Sequence, residues 1–190
     1  MSEVKGKARG HWVRRFIHML MSLVPVVYFA WGHTVASWFG ITREALITLV
    51  IIVIAVLEGI RLSRGMLVFG QRDYEKRQVS AFAWGGLSIG LVCLFAPGAD
   101  TAIPIVFTCA FSDPLMGEMR RHECHGVWVA AVGVLSAVVI WSLGVLFLGT
   151  SWLWVCICPI LAVAAEYPRL RWVDDNALMM LIPLLAVSFI

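Results

Sequence analysis

From Val127 to Leu148 not one residue is charged, and apolar runs of this kind recur along the whole chain. Such a run can satisfy its backbone polar groups in an apolar medium only by closing hydrogen bonds within itself, as a helix. That constraint dominates everything else. The 190 residues are 61% hydrophobic and 14% charged, where a soluble domain is about half apolar and a quarter charged. Mean hydropathy is +0.87. The composition predicts an all-α fold: a polytopic transmembrane helical bundle forming a single membrane-embedded domain over 1–190.

A spanning helix needs about 20 apolar residues, and about seven runs come near that length. They are Phe16–Phe39 (with Pro25 inside), Leu46–Leu62, Ser80–Pro97, Thr101–Leu115, Val127–Leu148, Trp152–Ala165 and Ala177–Ile190. The fourth, sixth and seventh are short. With this count, every lysine and arginine except Arg43 falls on one side. These are Lys5, Lys7, Arg9, Arg14 and Arg15, then Arg61, Arg64, Arg72, Lys76 and Arg77, then Arg120 and Arg121, then Arg169 and Arg171. The positive-inside rule then places the basic N-terminal segment 1–15 and the even-numbered loops in the cytoplasm. No small-residue cleavage site follows the first run, so removal as a signal peptide is not expected. Trp12, Trp38, Trp152, Trp154 and Trp172 lie near the ends of runs, where interface anchoring or helix packing would use them. The five cysteines lie mostly in apolar runs and read as small buried hydrophobes. A net charge of +3 is too small to suggest a nucleic-acid partner. A homo-oligomer is compatible with the sequence and not specified by it.

Acidic and other polar residues gather on the same side as the basic ones. Glu58 and Arg61 end the second run, and His18 begins the first. Asp113, Glu118, Arg120 and Arg121 follow the fourth, Glu166 ends the sixth, and Asp174, Asp175 and Asn176 open the seventh. Charge at membrane depth is costly and normally faces a partner or a wet cavity. Carboxylates suit Mg²⁺, which bridges phosphates while keeping some of its waters. Arginines grip phosphate oxygens through a planar fork. These are the parts of a phosphoryl-transfer site. Plainer readings stand beside this one. Glu58 and Arg61 are spaced to pair on one helix face, Asp174–Asn176 can cap a helix, Arg14 and Arg15 can set topology, and His18 can pack at the interface. His122, Glu123, Cys124 and His125 are too crowded to bind one zinc ion together, since zinc sites draw on separated pairs.

Four stretches, R-R-F-I-H (14–18), E-G-I-R (58–61), S-D-P-L-M-G (112–117) and E-Y-P-R-L-R-W-V-D-D-N (166–176), resemble in order the landmarks of the dolichol kinase and phytol kinase family. That resemblance implies an integral membrane enzyme using CTP and Mg²⁺ to phosphorylate a long-chain isoprenoid alcohol at the cytoplasmic interface. It implies catalytic and metal roles for Asp113, Asp174 and Asp175, with Glu118 assisting. Arg61, Arg120, Arg121, Asn176, Glu58, His18 and Glu166 would bind the nucleoside triphosphate or orient the shell. Where the family places spaced glycines after its Asp, this chain has only Gly117 before Glu118. A shorter loop relying on arginine side chains is the expectation. A cytidylyltransferase acting on a lipid phosphate would need similar groups. A small-anion or proton transporter would need polar residues on both faces, and the outer half has few.

Overall fold

The computed structural model describes residues 7–168, 170 and 172–189, with side chains from Trp12 onward. Lys5, Arg169 and Arg171 lie outside the described residues, as do the side chains of Lys7 and Arg9. Helices follow one another in the order α1 (Lys7–Leu20), α2 (Leu23–Trp38), α3 (Arg43–Ser63), α4 (Ala81–Phe95), α5 (Ala99–Arg121), α6 (Gly126–Leu148), α7 (Trp152–Glu166) and α8 (Asp175–Phe189). A short 3-10 turn, Asp73–Arg77, lies between α3 and α4.

Three helical stretches are long and apolar enough to cross a membrane: Trp12–Trp38, Arg43–Ser63 and Gly126–Leu148. The 15-residue helices α4, α7 and α8 span only about 22 Å at 1.5 Å per residue. Capping residues begin many of the helices. Thr42, Ser80 and Ser151 accept from the backbone N–H groups of Ala45, Ala83 and Leu153 at the starts of α3, α4 and α7, satisfying donors that have no intrahelical partner. Gly149, at φ 76°, closes α6 in the left-handed region that glycine enters without strain.

α5 packs most extensively against α6, while α8 sits against α4, α5 and α7. Ile105, Val106, Met116, Trp141, Met179 and Met180 are buried at these contacts. Close approach depends on missing side chains. A Cβ at Gly90 would stand 2.5 Å from Ile51 of α3, and one at Gly133 would collide with Met116 of α5. The outward face of α3 is different. Leu49, Ile52, Val53, Val56 and Leu57 are each about half exposed, as befits a helix facing lipid. Trp12, Trp38, Trp152 and Trp172 are also largely exposed, whereas Trp154 packs against the core.

Two expectations need correction. The first run keeps the length of one candidate span, Trp12–Trp38, but begins earlier than Phe16 and turns at Met21–Ser22, between α1 and α2. Pro25 then falls in the first turn of α2, where a missing N–H does little harm. The second correction concerns Asp113. No loop follows it, because α5 continues through Gly117 and Glu118 to Arg121. The chain turns only at His122–Cys124, with Glu123 at φ 57°. Leu115, Met116 and Met119 are strong helix formers, and they carry the helix past Pro114. That proline has no N–H, which leaves the carbonyl of Ala110 without its usual donor, and Ala110 lines a cleft. Pro104 does the same to Asp100, whose carbonyl accepts instead from the Thr150 hydroxyl at 2.6 Å.

Candidate functional site

One stripe of α5 carries Cys109, Asp113 and Arg120, spaced to share a helix face. The Cys109 thiol lies 3.6 Å from both the carbonyl and Oδ1 of Asn176. α5 and the start of α8 therefore touch one turn from Asp113. From α1, His18 reaches in: its Nε2 is 3.1 Å from the Cys109 carbonyl and 3.9 Å from Asp113 Oδ2.

Asp174 caps α8. Its carbonyl accepts from Ala177 and Leu178, and its Oδ1 accepts from the Asn176 N–H at 3.1 Å and from Asn176 Nδ2 at 2.8 Å. Asp175 Oδ1 also accepts from the Asn176 N–H, at 3.0 Å. The capping role is therefore real, and it uses one oxygen of each aspartate. Asp174 Oδ2 and Asp175 Oδ2 accept no hydrogen bond among the described residues.

Glu166, from the end of α7, completes the acidic group. Its side chain is 1% exposed, and its Oε1 accepts from Arg120 Nη1 at 2.5 Å. Its Oε2 is buried without a partner among the described residues. An unpaired carboxylate oxygen in such a place is costly. Asp113 feels the charges of Asp175, Glu166 and Asp174, and then that of Arg14. Asp174, Asp175 and Glu166 thus lie within electrostatic reach of Asp113. Burial, and then the neighbouring Asp175, push the Asp174 carboxyl up to about 6.

Two arginines lie within electrostatic reach of this group. Arg14 acts on Asp113 and Asp174, and Arg72 feels Asp174 and Asp175. Arg72 Nη1 also donates to the Tyr74 hydroxyl at 2.7 Å. Glu75 holds both arginines in position. This carboxylate is 1% exposed and accepts from Arg14 Nη1, the Arg72 N–H and the Ala81 N–H at 3.1–3.2 Å. The 3-10 turn is thereby fastened to α1 and to the start of α4. Beneath lies a narrow cleft of about 30 Å³, bordered by Arg14, His18, Phe82, Cys109, Ala110 and Asn176. It has room for a water or two, or for the end of a chain.

Other candidates stand apart. Glu58 and Arg61 form a buried bidentate pair at 2.8 and 2.9 Å. Arg61 also donates to the carbonyls of Met66 and Gln78, and Glu58 accepts from the Ser80 N–H and hydroxyl. Nearly every donor of Arg61 is already used, so this pair fastens α3 to the segment before α4. Glu118 faces the rim, paired with Arg15, with Arg121 at 3.7 Å and His122 at 3.5 Å. In the sequence Arg72 stands out only as one of the basic residues on the shared side, Arg14 as a residue that can set topology, and Glu75 not at all. The available signal was one carboxylate set among basic neighbours in Q-R-D-Y-E-K-R (71–77).

Among the described residues, no three His, Cys, Asp or Glu side chains converge on a single ion position. Mg²⁺ needs no such cage, since one or two carboxylates plus substrate phosphates and waters hold it. Among the described residues, Glu166 Oε2 and one oxygen each of Asp174 and Asp175 have no partner, which suits a hard cation of that kind. No family model matches the chain, and no curated protein or solved structure matches it significantly.

Proposed function

We propose that this protein is a membrane kinase of about seven spans with its N-terminus in the cytoplasm. It moves the γ-phosphate of a nucleoside triphosphate, CTP by the resemblance of its motifs, onto a long-chain isoprenoid alcohol. The observation that carries this reading is the buried Oε2 of Glu166, without a partner among the described residues, within electrostatic reach of Asp113. Four acids held together at one end of a bundle repel one another, and a cation with bound phosphate would relieve that repulsion.

The chemistry divides among the residues. Asp174 and Asp175 would hold the cation through the oxygens not used in capping, on a helix start that the Asn176 hydrogen bonds keep rigid. A magnesium ion held there would supply positive charge against the negative charge developing on the transferring phosphoryl group. Arg14 and Arg72 face the triphosphate, and Arg120, steadied by Glu166, stands beside Asp113. The cleft is too small for a nucleotide, so the triphosphate lies across its mouth and the hydroxyl end of the alcohol enters it. The alcohol oxygen bonds to the γ-phosphorus as the bond to the β-bridging oxygen breaks. The hydroxyl proton passes to Asp113, CDP leaves, and the lipid monophosphate remains in the membrane. His18, between the Cys109 carbonyl and Asp113, orients that carboxylate.

Purified protein given CTP, Mg²⁺ and a polyprenol should release CDP and form polyprenyl monophosphate. Release of pyrophosphate from a lipid phosphate would assign cytidylyl transfer instead. Absence of any nucleotide turnover, with nucleotide-independent anion uptake into liposomes, would replace the kinase by a transporter.

A further inference from the structure

A second depression lies on the far side of Phe82 from the cleft. Phe82 borders both. This groove encloses about 460 Å³, within the usual range of ligand pockets, about 300–1,000 Å³. Its walls are Ile54, Leu57 and Ile60 of α3, Met66 and Val68 from the segment that follows, and Phe82. Leu57 and Ile60 are 60% and 43% exposed, so the groove opens away from the helix core. The charges in its floor cancel, since Glu58 and Arg61 pair with each other. At its mouth the balance differs. Arg64 lines the groove, is exposed, and has no ion pair among the described residues. Lys76 lies over the same turn, its Cε 3.5 Å from where a Cβ on Gly65 would stand, and it too is exposed without an ion pair.

We propose that this groove is a binding site for an anionic phospholipid of the surrounding bilayer. An acyl chain lies along Ile54, Leu57 and Ile60, and the phosphate sits between Arg64 and Lys76. Charge selects the occupant. An apolar trough ending in two unneutralised cations complements a lipid whose head carries a negative charge. A zwitterionic head offers no net charge to them, and an alcohol offers none at all. The site is independent of the phosphoryl-transfer reading, because none of its groove residues except Phe82 borders the cleft.

The test is native mass spectrometry of the protein released from nanodiscs of phosphatidylcholine containing a minority of phosphatidylglycerol. The intact protein should retain phosphatidylglycerol in preference to phosphatidylcholine. Each cation removed should weaken that retention about fivefold, the effect of one basic residue near an anionic surface. The R64Q/K76Q variant should therefore retain both lipids equally. Both positions are exposed, so the fold survives the change. Phosphatidylglycerol with a photoreactive group in its acyl chain should label residues 54–60 and 66–68. Unchanged retention in the double variant, no preference for the anionic lipid, or labelling confined to the outer face of α6 would overturn the site. So would displacement of the bound lipid by an uncharged polyprenol, which would give the groove to the alcohol instead.

Discussion

At the residue scale, carboxylates of one chemical type do different work because their partners differ. Glu75 and Glu58 are saturated with hydrogen bonds and fasten segments together. Among the described residues, Asp113 has only His18, at 3.9 Å, and Glu166 has one oxygen bare. Replacing a fastening group should therefore cost stability, and replacing an unsaturated one should cost activity. Arg61→Ala leaves Glu58 buried without its cation, a loss of about 3–5 kcal/mol in comparable pairs. It should lower the thermal midpoint sharply, with turnover of the surviving folded protein little changed. Asp113→Asn should do the reverse, cutting CDP release by about 10²–10⁴-fold, the usual contribution of a general base, at an unaltered midpoint. Activity assays paired with detergent-compatible thermal melts separate the two cases.

At the element scale, the start of α8 makes an electrostatic prediction. The Asp174 carboxyl is pushed up to about 6 by burial and by Asp175, above its ordinary value of 3.8. A raised carboxyl favours the folded state while protonated. This contribution is complete below pH 3.8 and is lost as pH rises through about 6. Above that pH the aspartates repel, and a divalent cation should restore what ionisation removed. Mg²⁺ should raise the thermal midpoint at pH 7.5 and have little effect at pH 5. Asp174→Asn should flatten the difference. A midpoint insensitive to Mg²⁺ at both pH values would contradict the account. Why this element was partly legible in sequence is clear: Asp-Asp-Asn before an apolar run is a cap by its residue types alone. Its contact with Cys109 was not legible, because it depends on how α5 and α8 cross. The helical course of 113–121 was also hidden. Pro114 and the dense charges read as a loop, but Leu115, Met116 and Met119 kept the helix going. Conversely, Glu58 and Arg61 were spaced to pair on their own helix, and they do.

At the scale of the molecule, apolar runs predicted the helices closely, since length and hydropathy are local properties. α3, α6 and α7 begin and end within a few residues of the expected positions. The association of the acids could be anticipated only from their shared side, and the roles of Arg14, Arg72 and Glu75 needed the fold. Topology has a natural reporter. Cys124, in the turn between α5 and α6, is exposed. The proposed orientation requires an impermeant maleimide to label it in inverted vesicles and not in intact cells. Ile41→Cys, in the exposed turn between α2 and α3, should label the other way round. The central claim, that the acids of α5, α7 and α8 form a cation-dependent triphosphate site, is tested most directly by CTP binding. Titration of the detergent-purified protein should show binding that tightens at least about tenfold with Mg²⁺, about 1.4 kcal/mol, and that is lost in the D174N/D175N variant. Binding of equal strength without Mg²⁺, or undiminished in that variant, would contradict it.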